Sequence, residues 1–159
     1  MTTHAATLTL ADLAATARLG RALAAELKPG DIVSLKGDLG AGKTTLARSI
    51  LEAMGHSGET PSPTFTIVQT YDLAPGAVWH VDLYRLKSPQ EALELGLEDA
   101  FESAIVLIEW PERLGDLMPD DRLEIALTIA ADGETRRAVL SGHGFWRDRV
   151  PTLTRAFDS

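Results

Sequence analysis

Residues 37–44 read Gly-Asp-Leu-Gly-Ala-Gly-Lys-Thr and match the pattern G-x-x-x-x-G-K-[ST]. This pattern is typical of a loop that joins a strand to a helix and surrounds phosphate groups with its backbone N–H groups. The flanking residues fit that context, because residues 32–36 are mainly apolar and β-branched and residues 43–54 have helical periodicity. The motif therefore predicts an α/β fold in which a phosphate-binding loop follows a short strand.

Each fixed residue of the loop has a chemical role in this prediction. Gly40 and Gly42 leave room for a phosphate group and tolerate positive φ, and the N-terminus of the following helix adds partial positive charge. Lys43 supplies a cation to the β- and γ-phosphates, and the hydroxyl of Thr44 is suited to Mg2+. The alternative, a structural glycine turn with a coincidental lysine, explains less of the pattern.

Two acidic residues follow predicted strands and are candidates for the metal and the attacking water. Glu109 ends the apolar run 104–109, which is typical of a strand covered on both faces. A carboxylate there is expected at the carboxyl edge of the sheet, beside the loop, where it would hold the metal. Asp82 ends the strand predicted over residues 78–83 and would orient a water or bind the metal through one. The alternatives are a surface glutamate at a strand end and an aspartate that caps the following turn.

The order of predicted elements indicates a three-layer α/β sandwich of the P-loop NTPase type with a mixed, mainly parallel central sheet. Strands and helices alternate at first, and a C-terminal antiparallel hairpin over residues 123–130 and 137–140 turns at Asp132-Gly133. Residues 145–157 are predicted to form a last helix. Because no repeat or long linker interrupts the chain, we expect a single ATPase domain over residues 1–159.

Composition excludes several classes of protein. The 159 residues are 45% hydrophobic and 24% charged, which excludes a disordered or fibrous chain. No apolar run approaches the roughly 18 residues that a membrane span needs, and the N-terminus has no pattern of a secretory leader. With no cysteine, the chain has no disulfide and no thiolate metal site. These features predict a cytoplasmic protein that does not enter a membrane.

The charge pattern bears on nucleic-acid binding. A formal net charge of −8 predicts a poor autonomous binder of RNA or DNA, whose phosphates must be neutralised. The segment after Gly133 is locally basic, with five basic and three acidic residues. Its basic residues are Arg136, Arg137, Arg147, Arg149 and Arg155. A solvated face and a contact with an acidic partner or polyanion both remain open for this segment.

Two further features concern the nucleotide. The chain lacks the Asn/Thr-Lys-x-Asp segment on which guanine specificity usually rests, so adenine is favoured. Thr64 and Thr66 lie in a Pro- and Ser-rich loop that would fold over the γ-phosphate. Hydroxyls that bond only to the local backbone are the open alternative for these two residues.

Four segments, in this order and spacing, resemble the TsaE (YjeE) family. They are Gly37-Asp38-Leu39-Gly40-Ala41-Gly42-Lys43-Thr44-Thr45, Ser62-Pro63-Thr64-Phe65-Thr66, His80-Val81-Asp82-Leu83-Tyr84-Arg85 and Ile108-Glu109-Trp110-Pro111. The first segment alone is generic, whereas the other three are specific to the family. The resemblance covers about residues 8–140, and no role is assigned beyond Leu140.

This resemblance implies a small, Mg2+-dependent ATPase that is weak alone and is activated by two partner proteins, TsaD and TsaB. Together they would make the threonylcarbamoyladenosine (t6A) modification of tRNA, with tRNA reached only through the complex. TsaD would transfer the threonylcarbamoyl group, and ATP hydrolysis would reset the complex between turnovers.

The resemblance also implies roles for individual residues. Thr44 and Glu109 would bind Mg2+. The catalytic residues would be Asp82, Glu109 and Lys43, with Asp82 as the activity-critical acid. Trp110 would lie beside the nucleotide, its alternative being an aromatic packed on the sheet edge. The residues that would contact ATP are Leu13, Leu39, Gly40, Ala41, Gly42, Lys43, Thr44, Thr45, Trp110 and Gly133.

Two other functions compete with this interpretation. A small-molecule kinase on the same fold would need an arginine-bearing lid over the γ-phosphate, and between Tyr84 and Glu109 the only basic residues are Arg85 and Lys87. A nucleotide-gated binding module would hold ATP with the same residues without using hydrolysis. Phosphate-transfer assays and single-turnover hydrolysis distinguish these functions.

Overall fold

The computed structural model describes residues 4–38, 40–57 and 68–159. Within these ranges one sheet contains seven strands, in the order β1-β7-β6-β2-β5-β4-β3. The strands are β1 (His4–Leu10), β2 (Ile32–Lys36), β3 (Val68–Leu73), β4 (Gly76–Asp82), β5 (Ile105–Glu109), β6 (Arg122–Ile129) and β7 (Arg136–His143). The helices are α1 (Leu13–Glu26), α2 (Lys43–Ala53), α3 (Pro89–Glu94), α4 (Leu97–Ser103) and α5 (Val150–Asp158).

The sheet is mixed. The adjacent strands β6, β2, β5 and β4 run parallel to one another, whereas β3 pairs antiparallel with β4 and the edge strands β7 and β1 continue antiparallel from β6. Strand β5 is buried along its whole length, as its continuous apolar sequence predicts for a strand covered on both faces. The predicted α/β sandwich with a mainly parallel centre and an antiparallel C-terminal hairpin is confirmed.

Two hydrophobic cores make the three layers. On one face the strands pack against α1, α2 and α5, and on the other they pack against α3 and α4. The period of two along β5 divides its side chains between the cores, with Ile105 and Leu107 in the first and Val106 and Ile108 in the second. The same alternation directs Glu109 toward the face that carries α2.

The sheet topology brings the loop after β2 and the ends of two other strands together. Strand β2 lies between β6 and β5 at the centre of the sheet, and the motif that follows it leads into α2. In the parallel pairing Leu35 lies opposite Glu109, and Asp82 lies opposite Glu109 on the other side of β5. The carboxyl ends of β2, β4 and β5 therefore form one edge, where ligands of open α/β sheets commonly bind.

The last predicted helix differs in the structure, and a short helix is added before β5. Gly96 has a φ of 82° after α3, and α4 begins directly after it and is stabilised by burial of Leu97 and Ala100. The single helix predicted over residues 145–157 is a 3-10 helix over Gly144–Asp148 followed by α5, and Pro151 lies in the first turn of α5. Proline is tolerated there because the first N–H groups of a helix have no intrahelical partner. None of the described helices is long and apolar enough to cross a membrane.

Arg149 connects the C-terminal segment to the body of the fold. Its guanidinium donates to both carboxylate oxygens of Asp31 at 2.7 and 2.8 Å and to Oε1 of Glu26 at 2.8 Å. It also lies 3.7 Å from the centre of the Trp146 ring. At least one basic residue of the tail therefore stabilises the fold instead of belonging to a solvated face or a binding surface.

Candidate functional site

The glycines of the phosphate-loop motif have the backbone that the motif predicts. Gly40 and Gly42 have φ values of 83° and 106°, in the left-handed region that favours glycine. A Cβ atom added at either position would meet no heavy atom of the described residues within 4 Å, apart from those of its chain neighbours. The loop therefore presents open space beside its backbone, directly before the N-terminus of α2.

Lys43 is the first residue of α2, and its side chain turns back over the loop. The residue is only 5% exposed. Its ammonium group donates to the carbonyl of Gly37 and, at 3.1 Å, to the carbonyl of Asp38. It also lies 4.3 Å from the centre of the Trp110 ring. Within the described part of the chain, two neutral carbonyls and an aromatic ring thus contact the ammonium group of Lys43 at the loop.

Thr44, the next residue of α2, faces Glu109 at the end of β5. Its hydroxyl lies 3.0 Å from Oε1 and 3.1 Å from Oε2 of Glu109. Glu109 is 3% exposed, and its Oε2 is also 2.7 Å from Nε2 of His80. The sequence-predicted pair of oxygen ligands is therefore assembled across the α2–β5 boundary.

Asp82 lies beside this pair, at the end of β4. Its Oδ1 accepts a hydrogen bond of 2.9 Å from the backbone N–H of Tyr84, which is the turn-capping contact considered above as the alternative. Burial raises the pKa of Asp82 above its ordinary value, and the nearby charge of Glu109 adds to this, whereas the Tyr84 N–H and the charges of His80 and Lys43 oppose it. A half-buried carboxyl with a raised pKa next to a second carboxylate is typical of a functional site.

Trp110 both packs on the sheet and faces the loop. It follows β5 with a φ of 60°, the one positive value at a described residue other than glycine. Its ring lies 4.9 Å from the Tyr84 ring and packs against the core that contains α3 and α4. The cation of Lys43 lies over it. The two interpretations of Trp110, edge packing and proximity to the loop, therefore describe the same position.

Two cavities meet at the phosphate loop, and we name them by what lines them. The carboxylate-side cavity, of about 210 Å³, is lined by Gly40, Gly42, Lys43, Thr44, Thr45, Asp82, Glu109 and Trp110. The hairpin-side cavity, of about 440 Å³, lies between the β1–α1 connection, the loop and the β6–β7 turn. Among its lining residues are Leu13, Gly40, Ala41, Gly42, Thr45, Gly133 and Arg136. Gly40, Gly42 and Thr45 line both cavities, so the two lie next to each other at the loop.

The turn on the hairpin side is held in place by its own side chains. The carboxylate of Asp132 accepts from the backbone N–H of Glu134 at 2.9 Å and from the backbone N–H and hydroxyl of Thr135 at 2.7 and 2.6 Å. The hydrogen bonds from Thr135 and Glu134 lower the pKa of Asp132. Gly133 has a φ of 75° in this turn. Arg136 then begins β7, donates to the Glu134 carbonyl at 2.9 Å and reaches the Gly40 carbonyl at 3.5 Å.

All predicted site residues that the structure describes line one of these two cavities. Leu39, Thr64 and Thr66 lie outside the described residues, so their predicted contacts stay predictions. The geometry brings the predicted residues together at the loop, and their binding and catalytic roles stay predictions.

Two site residues were not singled out from the sequence. His80 was quoted only as part of a motif, although its spacing of two from Asp82 on one strand puts both side chains on the same face. Arg136 was counted only as part of the basic tail. Its position beside the loop depends on the pairing of β7 with β6 and β1, in which it lies opposite Ile129 and Leu10. The hairpin of β6 and β7 was predicted, but no local pattern in the sequence indicates its place between β2 and β1 in the sheet.

Comparisons with known proteins agree with this architecture. Residues 10–139 match the family model of the threonylcarbamoyl adenosine biosynthesis protein TsaE. The chain is 41% identical over 129 residues to the tRNA threonylcarbamoyladenosine biosynthesis protein TsaE of Rickettsia conorii, covering 80% of this chain and 74% of that one. It is 38% identical over 120 residues to the protein of the same name from Bacillus subtilis, covering 75% of each. The crystal structure of B. subtilis YdiB has a similar fold, with a TM-score of 0.78 and 28% identity over 99% of this chain and 97% of that chain.

Proposed function

The chain belongs to the TsaE family of threonylcarbamoyl adenosine biosynthesis proteins, and from this premise we propose that it is the ATP-hydrolysing component of tRNA threonylcarbamoyladenosine formation. In this proposal residues 1–159 work as one ATPase domain in the cytoplasm, together with TsaD and TsaB. The observation that carries the proposal is the arrangement of Lys43, Thr44 and Glu109 around one loop. Their chemistry matches what a magnesium nucleotide needs.

The phosphates are assigned to the loop and the N-terminus of α2. The open space beside Gly40 and Gly42 fits a phosphate chain held by backbone N–H groups. Lys43 supplies the cation for the β- and γ-phosphates, exchanging its carbonyl acceptors in the loop for charged phosphate oxygens. Such a bond would join two ionised groups, whereas the carbonyl acceptors in the loop are neutral.

The residues beside the loop also fit Mg2+. A hydroxyl and a carboxylate are hard oxygen donors, which this ion prefers, and two such protein ligands beside substrate phosphates are its usual set. Thr44 and Glu109 would hold the ion on the carboxylate side. When bound, Mg2+ would neutralise the charge that develops on the phosphate oxygens.

The base is assigned to the hairpin-side cavity. Its volume of about 440 Å³ lies within the range of small-molecule pockets. Leu13 is 75% exposed at its mouth, as an apolar side chain that covers a base would be. Gly133 and Arg136 line the same cavity from the β6–β7 turn. The sequence favours adenine as the base, and we place the adenine of this proposal in the hairpin-side cavity.

Asp82 is assigned to the hydrolytic step. It lies in the carboxylate-side cavity with Glu109 and Lys43, and its backbone contact with Tyr84 fixes its direction. Since the loop backbone and Lys43 supply the ground-state contacts to phosphate, Asp82 is free to act on the attacking water or on the ligand shell of the metal. We therefore propose that Asp82 contributes to the rate of hydrolysis and not to the affinity for ATP.

The partner requirement follows from the charge around the carboxylate-side cavity. Among the described residues that line it, Lys43 is the only basic one. In related enzymes a partner supplies a missing cation or orders a loop. The rate of hydrolysis then rises on the order of 10³-fold or more. A net charge of −8 also favours docking to protein over direct docking to tRNA. TsaD and TsaB are the partners proposed, and tRNA is reached through them.

The test is the steady-state ATPase rate of the protein alone, with TsaD and TsaB together, and with tRNA alone. We expect slow hydrolysis alone and a strong increase with the two proteins. Full activity in isolation, or activation by tRNA without the proteins, would contradict the partner proposal. Nucleotide-dependent binding to TsaD and TsaB with no hydrolysis in a single turnover would support a gated binding module in its place.

A further inference from the structure

His80 is a buried polar residue to which the proposed function assigns no role. It lies in β4, on the same face as Asp82, and its side chain has no exposed surface. The residues opposite it on the neighbouring strands are Gln69 of β3 and Leu107 of β5. Its Nε2 lies 2.7 Å from Oε2 of Glu109, and this is a side-chain contact between residues 29 positions apart.

We propose that His80 is a positioning residue that holds the Glu109 carboxylate in the orientation in which it can bind Mg2+ together with Thr44. The inference rests on the proposed function, because it concerns the metal site assigned to Thr44 and Glu109. His80 acts through Glu109 and has no contact with the nucleotide in this proposal.

The first argument is the flexibility of glutamate. A Glu side chain has three rotatable bonds and loses much rotamer freedom when it is held in one position. A carboxylate at the end of a strand therefore needs hydrogen-bond partners that keep it next to a metal ligand on another element. For Glu109 these partners are the Thr44 hydroxyl on one side and His80 on the other. Thr44 is itself a proposed metal ligand, so His80 is the partner that stays with Glu109 when the metal binds.

The second argument is the cost of placing a histidine at this position. Nδ1 of His80 is buried and has no hydrogen-bond partner within the described part of the chain. A buried polar atom without a partner is unfavourable, and an apolar residue at this position would avoid that cost. Ile105 and Leu107, on the same face of β5, show that apolar side chains are accepted there. The imidazole therefore provides something that an apolar side chain lacks, namely the N–H donor to Glu109.

The third argument is the division of the two carboxylate oxygens. A hydrogen bond from Nε2–H engages Oε2, which also lies 3.1 Å from the Thr44 hydroxyl, whereas Oε1 lies 3.0 Å from that hydroxyl and has no bond to the imidazole. His80 thus contacts only one of the two oxygens of Glu109, and Oε1 is left beside Thr44 without an imidazole contact. Residues that orient metal ligands in this way typically change metal affinity by about 10- to 100-fold when they are replaced.

The experiment compares three variants at position 80. Gln places an amide N–H close to the position of Nε2, whereas Asn reaches only the position of Nδ1 and Leu has no donor. The affinity for a fluorescent ADP analogue is measured as a function of free Mg2+ and again with the metal chelated. We expect His80→Leu and His80→Asn to raise the Mg2+ concentration of half-maximal effect about 10- to 100-fold. His80→Gln stays within about threefold of wild type, and all variants keep the metal-free affinity.

A double-mutant cycle separates positioning from a general structural role. In the background of Glu109→Gln, replacing His80 by Leu should produce no further change in the Mg2+ dependence. Equal Mg2+ dependence of wild type and His80→Asn would overturn the inference, as would an equal loss of metal-free nucleotide affinity in Asn and Gln variants. Far-ultraviolet circular dichroism checks folding, and failure of all three variants to fold would make His80 a structural residue and also overturn it. If wild type itself shows no Mg2+ dependence, the proposed function fails instead.

Discussion

Asp82 and Glu109 lie directly opposite each other across the parallel pairing of β4 and β5. Because residues in register on neighbouring strands share a face, both carboxyls project toward α2 and line one cavity. Their other contacts differ, since Glu109 is bonded to Thr44 and His80, whereas Asp82 accepts from the backbone of Tyr84. Two carboxyls in different surroundings can serve different functions in one site.

This difference predicts a separation of rate from affinity. Asp82→Asn keeps the shape of the side chain and removes its charge, so hydrolysis with partners should fall by about 100-fold or more. The affinity for ATP should stay within about threefold, because the loop supplies the ground-state contacts. Steady-state kinetics and calorimetry measure the two quantities. Asp72→Asn, at an exposed position of β3, is the matched control. Parallel losses in rate and affinity would contradict the assignment of Asp82.

Lys43 should control affinity. Lys43→Ala removes the buried cation at the loop, and the affinity for ATP should fall by about 10- to 100-fold, since a charge-assisted hydrogen bond contributes roughly 1.5–3 kcal/mol. Calorimetric titration with ATP and Mg2+ measures the change. Lys36→Ala is the control, because Lys36 pairs with Glu124 at 3.4 Å and does not line either cavity at the loop. ATP binding by Lys43→Ala as tight as that of wild type would show that the site assignment is wrong.

The parts of the fold that local sequence determines were predictable. Asp12 caps α1 by accepting from the N–H of Ala15 at 2.9 Å, and β2 ends at Lys36 as its apolar run indicates. Each of these features depends on residues within a few positions of one another. The placement of Glu109 was also predictable, because a buried parallel strand ends at the edge where the loop lies.

The parts that depend on pairing between distant strands were not predictable in the same way. The β6–β7 hairpin was predicted, but Arg136 reaches the loop only because that hairpin lies between β2 and β1 in the sheet, and Arg149 reaches Asp31 across 118 positions of the chain. The short helix α4 is a further case, since seven residues carry too few periodic positions to distinguish a helix from a loop. In each case the tertiary contact provides information that no local window of sequence contains.

The position of Arg136 predicts that its replacement weakens the binding of ADP and of ATP alike. It lines the hairpin-side cavity and contacts the loop at the Gly40 carbonyl. The affinities of Arg136→Ala for ADP and for ATP should therefore both fall by about 3- to 10-fold, as expected for a partly exposed charged group. The control is Arg137→Ala, because the next residue of a strand points to the opposite face. A loss confined to ATP would place Arg136 near the γ-phosphate instead.

His143 predicts how the stability of the fold depends on pH. It lies opposite Arg122 in the β6–β7 pairing, and its buried Nε2 has no hydrogen-bond partner among the described residues. Burial lowers the pKa of His143 below its ordinary value, and the charge of Arg122 adds to this. The unfolded chain therefore binds a proton at this residue more readily than the folded chain does. The contribution to stability is complete above about pH 6.5 and is lost as the pH falls through that value toward the lower pKa of the folded state.

The variant His143→Gln removes this titration. We expect the free energy of unfolding of wild type to fall more between about pH 7.5 and about pH 5 than that of the variant, since the variant has no proton to bind at this position. Urea unfolding at the two pH values measures the difference, and any other histidines contribute equally to both proteins. His4→Gln, at an exposed position of β1, is the matched control and should follow wild type. A pH dependence that is the same in wild type and His143→Gln would contradict the prediction, because a lowered pKa must appear as a loss of stability in acid.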